Sequence, residues 1–240
     1  MIARTVLTFI LLIVNASWAL ANEVHLVELQ WVICEPNEMT FFQKLNVQPL
    51  SPTVRQVYYS ETKEKDLYSR GAIARTRLSK KKTKTAAKIK GYTEAGIPWD
   101  FLAGSDFKCE MDSYLEHESI ACSLFSENAD ENKNLTPKQM QFLQMETGFQ
   151  NWQQVRLWGP VQSSEWDWVE KSINENLVVE VVQGPQTFFS LEMSARVPVE
   201  KKSESFLKLD SWLRSHGILL CPDQSGKTAK LLEALIGQPR

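Results

Sequence analysis

Like charges recur at a spacing of two along this chain. Arg75 and Arg77 form one pair, Lys88 and Lys90 a second, and Glu110 and Asp112 a third; Glu28, Glu180 and Glu192 stand singly in other apolar stretches. Residues two apart on a strand share a face, and the intervening Ala74, Thr76, Ala87, Ile89 and Met111 are small or apolar. Each strand would therefore show one sign of charge to one side. By strand rise Arg75 and Arg77 would lie about 6.7 Å apart, and at an effective dielectric of about 20 they would repel by roughly 2.5 kcal/mol. Such a cluster persists most readily where water, facing carboxylates or a polyanion offsets it. The competing reading is an ordinary exposed sheet face, and the segregation of sign by strand argues against it. A barrel lined this way would suit a phosphate chain shared between cations and a carboxylate-held divalent metal.

The elements that must position these charges are mostly strands. Alternating or β-branched runs predict strands over 23–33, 54–60, 72–78, 85–90, 107–114, 177–183 and 188–197, with extended segments over 154–158 and 165–169. Ser79 to Lys84 reads as a hairpin tip, and Ser126 to Asn134 as a surface loop. Helices are expected at 38–45, at 137–146 with Pro137 in the first turn, at 203–216 ahead of Gly217, and at 228–235. About eight strands without strict β-α alternation give an α+β chain built on a β-barrel.

Composition narrows the setting. The chain has 240 residues, 43% of them hydrophobic, and a formal charge of −2, so it can bury a core and is neither low-complexity nor a basic nucleic-acid binder. Residues 1–21 have a single charge, Arg4, an apolar run from Val6 to Val14, and a small-x-small end at Ala19-Leu20-Ala21. That order is a secretory signal peptide, too short in its apolar part to span a bilayer. The expected product is an exported protein, periplasmic or secreted, with one domain over 22–240 and no membrane span after signal cleavage. Cys34, Cys109, Cys122 and Cys221 all follow the leader. In an oxidising compartment two disulfides are expected. Of three pairings we expect Cys109–Cys122, the shortest loop, with Cys34–Cys221 tying the ends; buried thiols are the alternative.

Other signals weigh less. Ser225-Gly226-Lys227-Thr228 lacks the upstream glycine of a P-loop, since Cys221 stands there. Lys80 to Lys82 with Lys84 reads as a solvated tip, not a nucleic-acid patch. Trp166 and Trp168 share a strand face and fit packing under a helix better than ligand stacking. No Gly-x-Ser-x-Gly occurs, and His25, His117 and His216 lack an evident nucleophile partner.

The order of these motifs resembles the CYTH domain, or triphosphate tunnel metalloenzymes, a family that includes thiamine triphosphatases, inorganic triphosphatases and class IV adenylate cyclases. The likeness lies in Val57-Tyr58-Tyr59-Ser60-Glu61-Thr62, Asp66-Leu67-Tyr68-Ser69-Arg70-Gly71, Ala74-Arg75-Thr76-Arg77 and Lys88-Ile89-Lys90-Gly91, and more loosely in Cys109-Glu110-Met111-Asp112, Leu191-Glu192-Met193-Ser194 and Ser225-Gly226-Lys227-Thr228. The resemblance implies an eight-stranded antiparallel tunnel that hydrolyses or cyclises triphosphates with Mg²⁺ or Mn²⁺. Carried over, Arg75, Arg77, Lys88, Lys90 and Arg156 would bind phosphate, and Glu28, Glu192 and Glu110 would hold the metal. The departures are specific. The family's N-terminal Glu-x-Glu-x-Lys is here Leu26-Val27-Glu28-Leu29-Gln30, and Ser194 stands where a second late acid is usual. The basic wall is thus kept better than the metal wall. Two functions follow as expectations: a triphosphate- or polyphosphate-binding protein with metal-assisted hydrolysis, or a non-catalytic phosphoanion-binding or interaction module that has lost the metal site.

Overall fold

A computed structural model of the protein describes residues 24–80, 82–93, 96–97, 106–114, 117–128 and 133–237. The leader read over residues 1–21 lies outside the described residues. Nine strands close into a barrel in the order β1-β5-β6-β4-β3-β2-β7-β8-β9. Their ranges are β1 Leu26–Ile33, β2 Thr53–Glu61, β3 Ala72–Leu78, β4 Thr83–Tyr92, β5 Phe107–Tyr114, β6 His117–Asn128, β7 Arg156–Glu170, β8 Glu175–Gln183 and β9 Phe189–Pro198. All neighbours are antiparallel except β1 and β5. Among the described residues five α-helices accompany them: α1 Glu38–Lys44, α2 Asp66–Ser69, α3 Pro137–Thr147, α4 Lys202–Ser215 and α5 Thr228–Ile236.

The expected eight-stranded antiparallel tunnel is therefore corrected to a nine-stranded mixed barrel. Two local causes explain the difference. The strand β6 holds three Ser, two Glu and an Asn among its twelve residues, so its β-propensity is low; pairing on both sides with β4 and β5 makes it a strand. The two extended segments after residue 154 are one strand, β7, which passes through a bulge. There Gly159 and Pro160 lie opposite Tyr58 alone, as the register steps between Val57 and Tyr59. A bulge is where a strand tolerates proline. Gly159 adopts φ 120°, and a Cβ there would meet the Val57 carbonyl at 2.8 Å, so only glycine fits.

The apolar core lies mostly outside the barrel wall. Val27, Leu29 and Trp31 of β1, Leu177 and Val179 of β8, and Leu191 and Met193 of β9 pack under Phe41 and Phe42 of α1 and Leu209 and Leu213 of α4. Trp166 and Trp168 belong to this layer, edge-on to Phe42 at 5.4 and 5.9 Å between ring centres. On the far side Ala72, Ala74, Ala87, Ile89 and Leu124 pack under Phe142 and Leu143 of α3. Thr136 and Gln139 cap the start of α3 reciprocally. With both layers outside, the alternating residues are left facing inward, and those are the charged ones.

One end of the barrel is filled. Leu231, Leu232 and Leu235 of α5 pack on Val57, Tyr59, Val161 and Val182; Val57, Val161 and Val182 occupy the same strand faces as Arg55, Glu165 and Glu180. The segment leading to α5 is stitched to β1. Cys221 is bonded to Cys34, Cys221 N–H donates to the Val32 carbonyl at 2.9 Å, and the Gln224 amide both accepts from and donates to the Val32 backbone. Cys109 and Cys122, directly paired across β5 and β6, form the second disulfide. Both bonds match the expected pairing. Glu61, in the family-like block, is structural: its buried carboxylate accepts N–H bonds from Thr62, Leu67 and Tyr68 at 2.7–3.0 Å and fixes the turn into α2. No helix among the described residues is long and apolar enough to cross a membrane.

The Cys34–Cys221 bond spans 187 residues and Cys109–Cys122 spans 13. Because a longer closed loop restricts the unfolded chain more, the Cys34→Ser/Cys221→Ser protein should lose about 2–4 kcal/mol in denaturant titration, more than the Cys109→Ser/Cys122→Ser protein. An equal or reversed order would contradict this account.

Candidate anion-binding bore

The inward faces enclose a cavity of about 490 Å³, within the usual size of a small-molecule site. Among the described residues that line it, ten are cationic and six are carboxylates, although the whole chain carries −2. Arg75, Arg77, Lys88 and Lys90 all line it, as expected from the sequence. Arg156 does not. It is exposed at the start of β7, and its guanidinium donates to the carbonyls of Gln153 and Val155, so its place as a phosphate ligand is withdrawn.

The carboxylates sit in two groups. Glu28, Glu110 and Asp112 bring one oxygen each within 4.8 Å of one another, since Glu28 of β1 is level with Asp112 of β5. The second group is a row across three strands, in which Glu165 faces Glu180 and Glu180 faces Glu192. The expected trio of Glu28, Glu110 and Glu192 is thus divided, with Asp112 in the place that Glu192 was given. Gln30, where the resemblance implies lysine, is buried and donates to Glu28 at 3.2 Å.

Each of these carboxylates meets a cation of the chain. Arg196 reaches Glu28 at 3.0 Å and Glu110 at 3.3 Å. Lys88 and Lys90 reach Asp112 at 2.8 and 3.6 Å, and Lys108 reaches Glu110 at 2.6 Å. Arg55 grips Glu165 with two bonds at 2.6 and 2.8 Å. Lys227, just before α5, meets Glu180 at 2.8 Å and also pairs with Glu192. Sequence reasoning singled out none of Arg55, Lys108, Glu165 or Arg196, and it read Lys84 as part of a solvated tip although Lys84 lines the bore. Alternation could have found Arg196, two residues beyond Ser194 on the face of Glu192; the others needed the register between strands.

The electrostatics follow from this pairing. Burial lifts the Glu28 carboxyl above its usual range, with Arg196 opposing and Glu110 reinforcing the rise. Burial would also lift Glu110, but Lys108, Arg196 and Lys88 outweigh it and hold that carboxyl low. Lys227 and Arg77 likewise overcome burial at Glu180 and keep it well below the carboxylate range. Lys90 is lowered by burial, with Asp112 opposing.

The basic wall is less well matched. Arg75 has no ion pair among the described residues. Arg77 lies opposite Lys84 across the sheet, its nearest carboxylate oxygen is on Glu180 at 3.8 Å, and its buried Nε has no acceptor. Burial first, and Arg75 second, hold its pKa down to about 10. The guanidinium stays charged near neutrality, and an unmatched buried cation costs free energy. Of the acids around the bore, Asp112 alone keeps a buried oxygen, Oδ1, without a donor among the described residues. The trio around it has the hard oxygen chemistry that a divalent cation takes, yet its other contacts are already made by Arg196 and the three lysines.

No protein-family model and no curated protein matches the sequence. Solved structures do. A candidate adenylyl cyclase from Hippeastrum, HpAC1, described as having a dominant triphosphatase activity, aligns over 87% of this chain and 95% of its own with 13% identity and a TM-score of 0.56. A candidate adenylate cyclase from Bacillus halodurans aligns over 86% of this chain and 97% of its own, with 10% identity and a TM-score of 0.58. The fold is that of the CYTH-type triphosphate tunnel proteins.

Two outcomes follow. Arg77→Met removes a largely desolvated charge whose ion pair, with Glu180, is long at 3.8 Å, so the ligand-free protein should gain about 1 kcal/mol in urea titration; a loss of stability would show that Arg77 is satisfied in the free bore. Arg196→Ala should lift Glu28 further. A carboxyl with a raised folded pKa stabilises the fold below its unfolded value, here near 4.5, and loses that contribution as pH rises through the folded value. The variant's melting temperature should therefore climb more steeply than the parent's on acidification from neutral pH toward 5; parallel curves would refute the assignment.

Proposed function

We propose that the bore binds a linear phosphoanion, a triphosphate or a polyphosphate. One observation carries this reading: Arg75 and Arg77 project from one strand into a cavity that holds too few carboxylates to satisfy them. Guanidinium groups take phosphate oxygens through paired, charge-assisted bonds. Lys88 and Lys90 stand on the adjoining strand and are shared with Asp112 alone among the described carboxylates. A chain of phosphates would supply the acceptors that Arg75 and the Arg77 Nε lack. The triphosphatase activity described for HpAC1, on the same fold, points the same way. We further propose that the protein acts after export as a single domain over 22–240. Two disulfides agree with an oxidising compartment.

Metal-assisted hydrolysis is the second reading, favoured by the spacing of Glu28, Glu110 and Asp112 and by the unpartnered Asp112 Oδ1. Bound there, Mg²⁺ or Mn²⁺ would supply Lewis-acid polarisation of a phosphoryl group. The chain's own part in either reading is the same: Arg75, Arg77, Lys88 and Lys90 bind and orient the phosphates, and the walls exclude water.

Calorimetric titration with tripolyphosphate should show binding that weakens with added salt. Arg75→Ala should weaken it roughly 10- to 100-fold, the value of one or two charge-assisted hydrogen bonds. No heat of binding, or equal affinity in the variant, would overturn the proposal. Phosphate release from tripolyphosphate with Mg²⁺ or Mn²⁺, above that of a Glu28→Ala control, separates hydrolysis from binding alone.

A further inference from the structure

We infer that two of the chain's own side chains, Arg196 and Lys227, take the positions that metal ions would hold between the bore's carboxylates, so that the site accepts its anion without a divalent cation. This rests on the phosphoanion reading for the ligand, but not for the behaviour toward metals.

Arg196 does what a bridging cation does. Its Nη2 meets Glu28 of β1 at 3.0 Å and its Nε meets Glu110 of β5 at 3.3 Å, joining carboxylates from two strands. The register makes the first contact unavoidable, because Glu28 lies directly opposite Arg196. Lys227 serves the other group. Glu180 and Glu192 face each other across β8 and β9, an arrangement that destabilises a sheet unless a counter-charge intervenes. Its Nζ lies between them, and its backbone N–H also donates to Glu192 at 3.3 Å. That places a fixed positive charge inside a pair of strands that would otherwise repel.

A divalent ion would find little room in this pattern. At the trio it needs several hard oxygens at once, and the Asp112 Oδ1 is the one carboxylate oxygen buried there without a partner. It would also sit close to Arg196, Lys88, Lys90 and Lys108, whose like charges would repel it at a few ångströms in a partly desolvated site. The two substitutes differ in permanence. The Lys227 side chain is 12% exposed and belongs to the segment tied to β1 by Cys34–Cys221, whereas the Arg196 side chain is 53% exposed. Arg196 is therefore the one whose removal should reopen a metal site, made by Glu28, Glu110 and Asp112.

The test uses Mn²⁺ alone, without phosphate, followed by the loss of the free-ion paramagnetic resonance signal. Wild-type protein should bind Mn²⁺ at the trio weakly, Arg196→Ala should bind it at least roughly tenfold more tightly, and Arg196→Ala/Asp112→Asn should lose the gain. Arg196→Lys, which keeps the charge, should behave as wild type and shows that folding is not the cause. Tripolyphosphate affinity of the wild type should be unchanged by a chelator. Wild-type Mn²⁺ binding as tight as that of Arg196→Ala, no gain in that variant, or phosphate binding abolished by the chelator would each overturn the inference. Absence of tripolyphosphate binding under all conditions, with the Mn²⁺ pattern intact, would instead overturn the phosphoanion reading alone.

Discussion

The matching of charge across the inside of the barrel is the constraint from which the rest of the architecture follows. A row of facing carboxylates, Glu165, Glu180 and Glu192, and a strand carrying Arg75 and Arg77 beside Lys84 would each be unfavourable alone. They coexist because cations from other elements reach the acids of that row: Arg55 from β2 meets Glu165, and Lys227 from the C-terminal segment meets Glu180 and Glu192. The balance is local and incomplete. Acids are answered one by one, while part of the basic wall is left with unused donors.

An interior filled with charge cannot supply the hydrophobic stabilisation of a domain. That role passes to the outer face of the wall, and it explains the helices. Without α1 and α4, the indole of Trp31 and the apolar rows of β1, β8 and β9 would face water; without α3, Ala74, Ala87 and Leu124 would. The helices are thus a second shell that lets a polar-lined barrel exist, and the strands are apolar toward it and charged away from it.

That division is why much of the molecule was legible in the sequence. The period-two alternation placed Arg75, Arg77, Lys88, Lys90, Glu28 and Glu110 on inward faces before any coordinates, and capping residues located α3. What was not legible depended on pairing between distant segments. The strand β6 has a composition that suits a loop, the two extended segments after residue 154 join into one strand through the bulge opposite Tyr58, and Arg156 is exposed at the start of β7, outside the lining of the bore. Whether Glu192 or Asp112 completes the trio with Glu28 is set by which strand lies beside β1, and no periodicity within one segment encodes that. The same holds for Arg196, whose meaning comes from standing opposite Glu28.

The placement of α5 has a geometric result of its own. With its leucines seated among inward-facing residues, the barrel is a cup with a floor rather than a pipe, and the charged residues Lys82, Lys84 and Glu127 stand at its rim. On the phosphoanion reading a guest would enter through that rim, leading with a terminus and backing out along the same path. For a chain-like guest the depth of the cup is then a ruler: the first units to enter are held against the floor near Lys227, and any length beyond the cup trails into solvent.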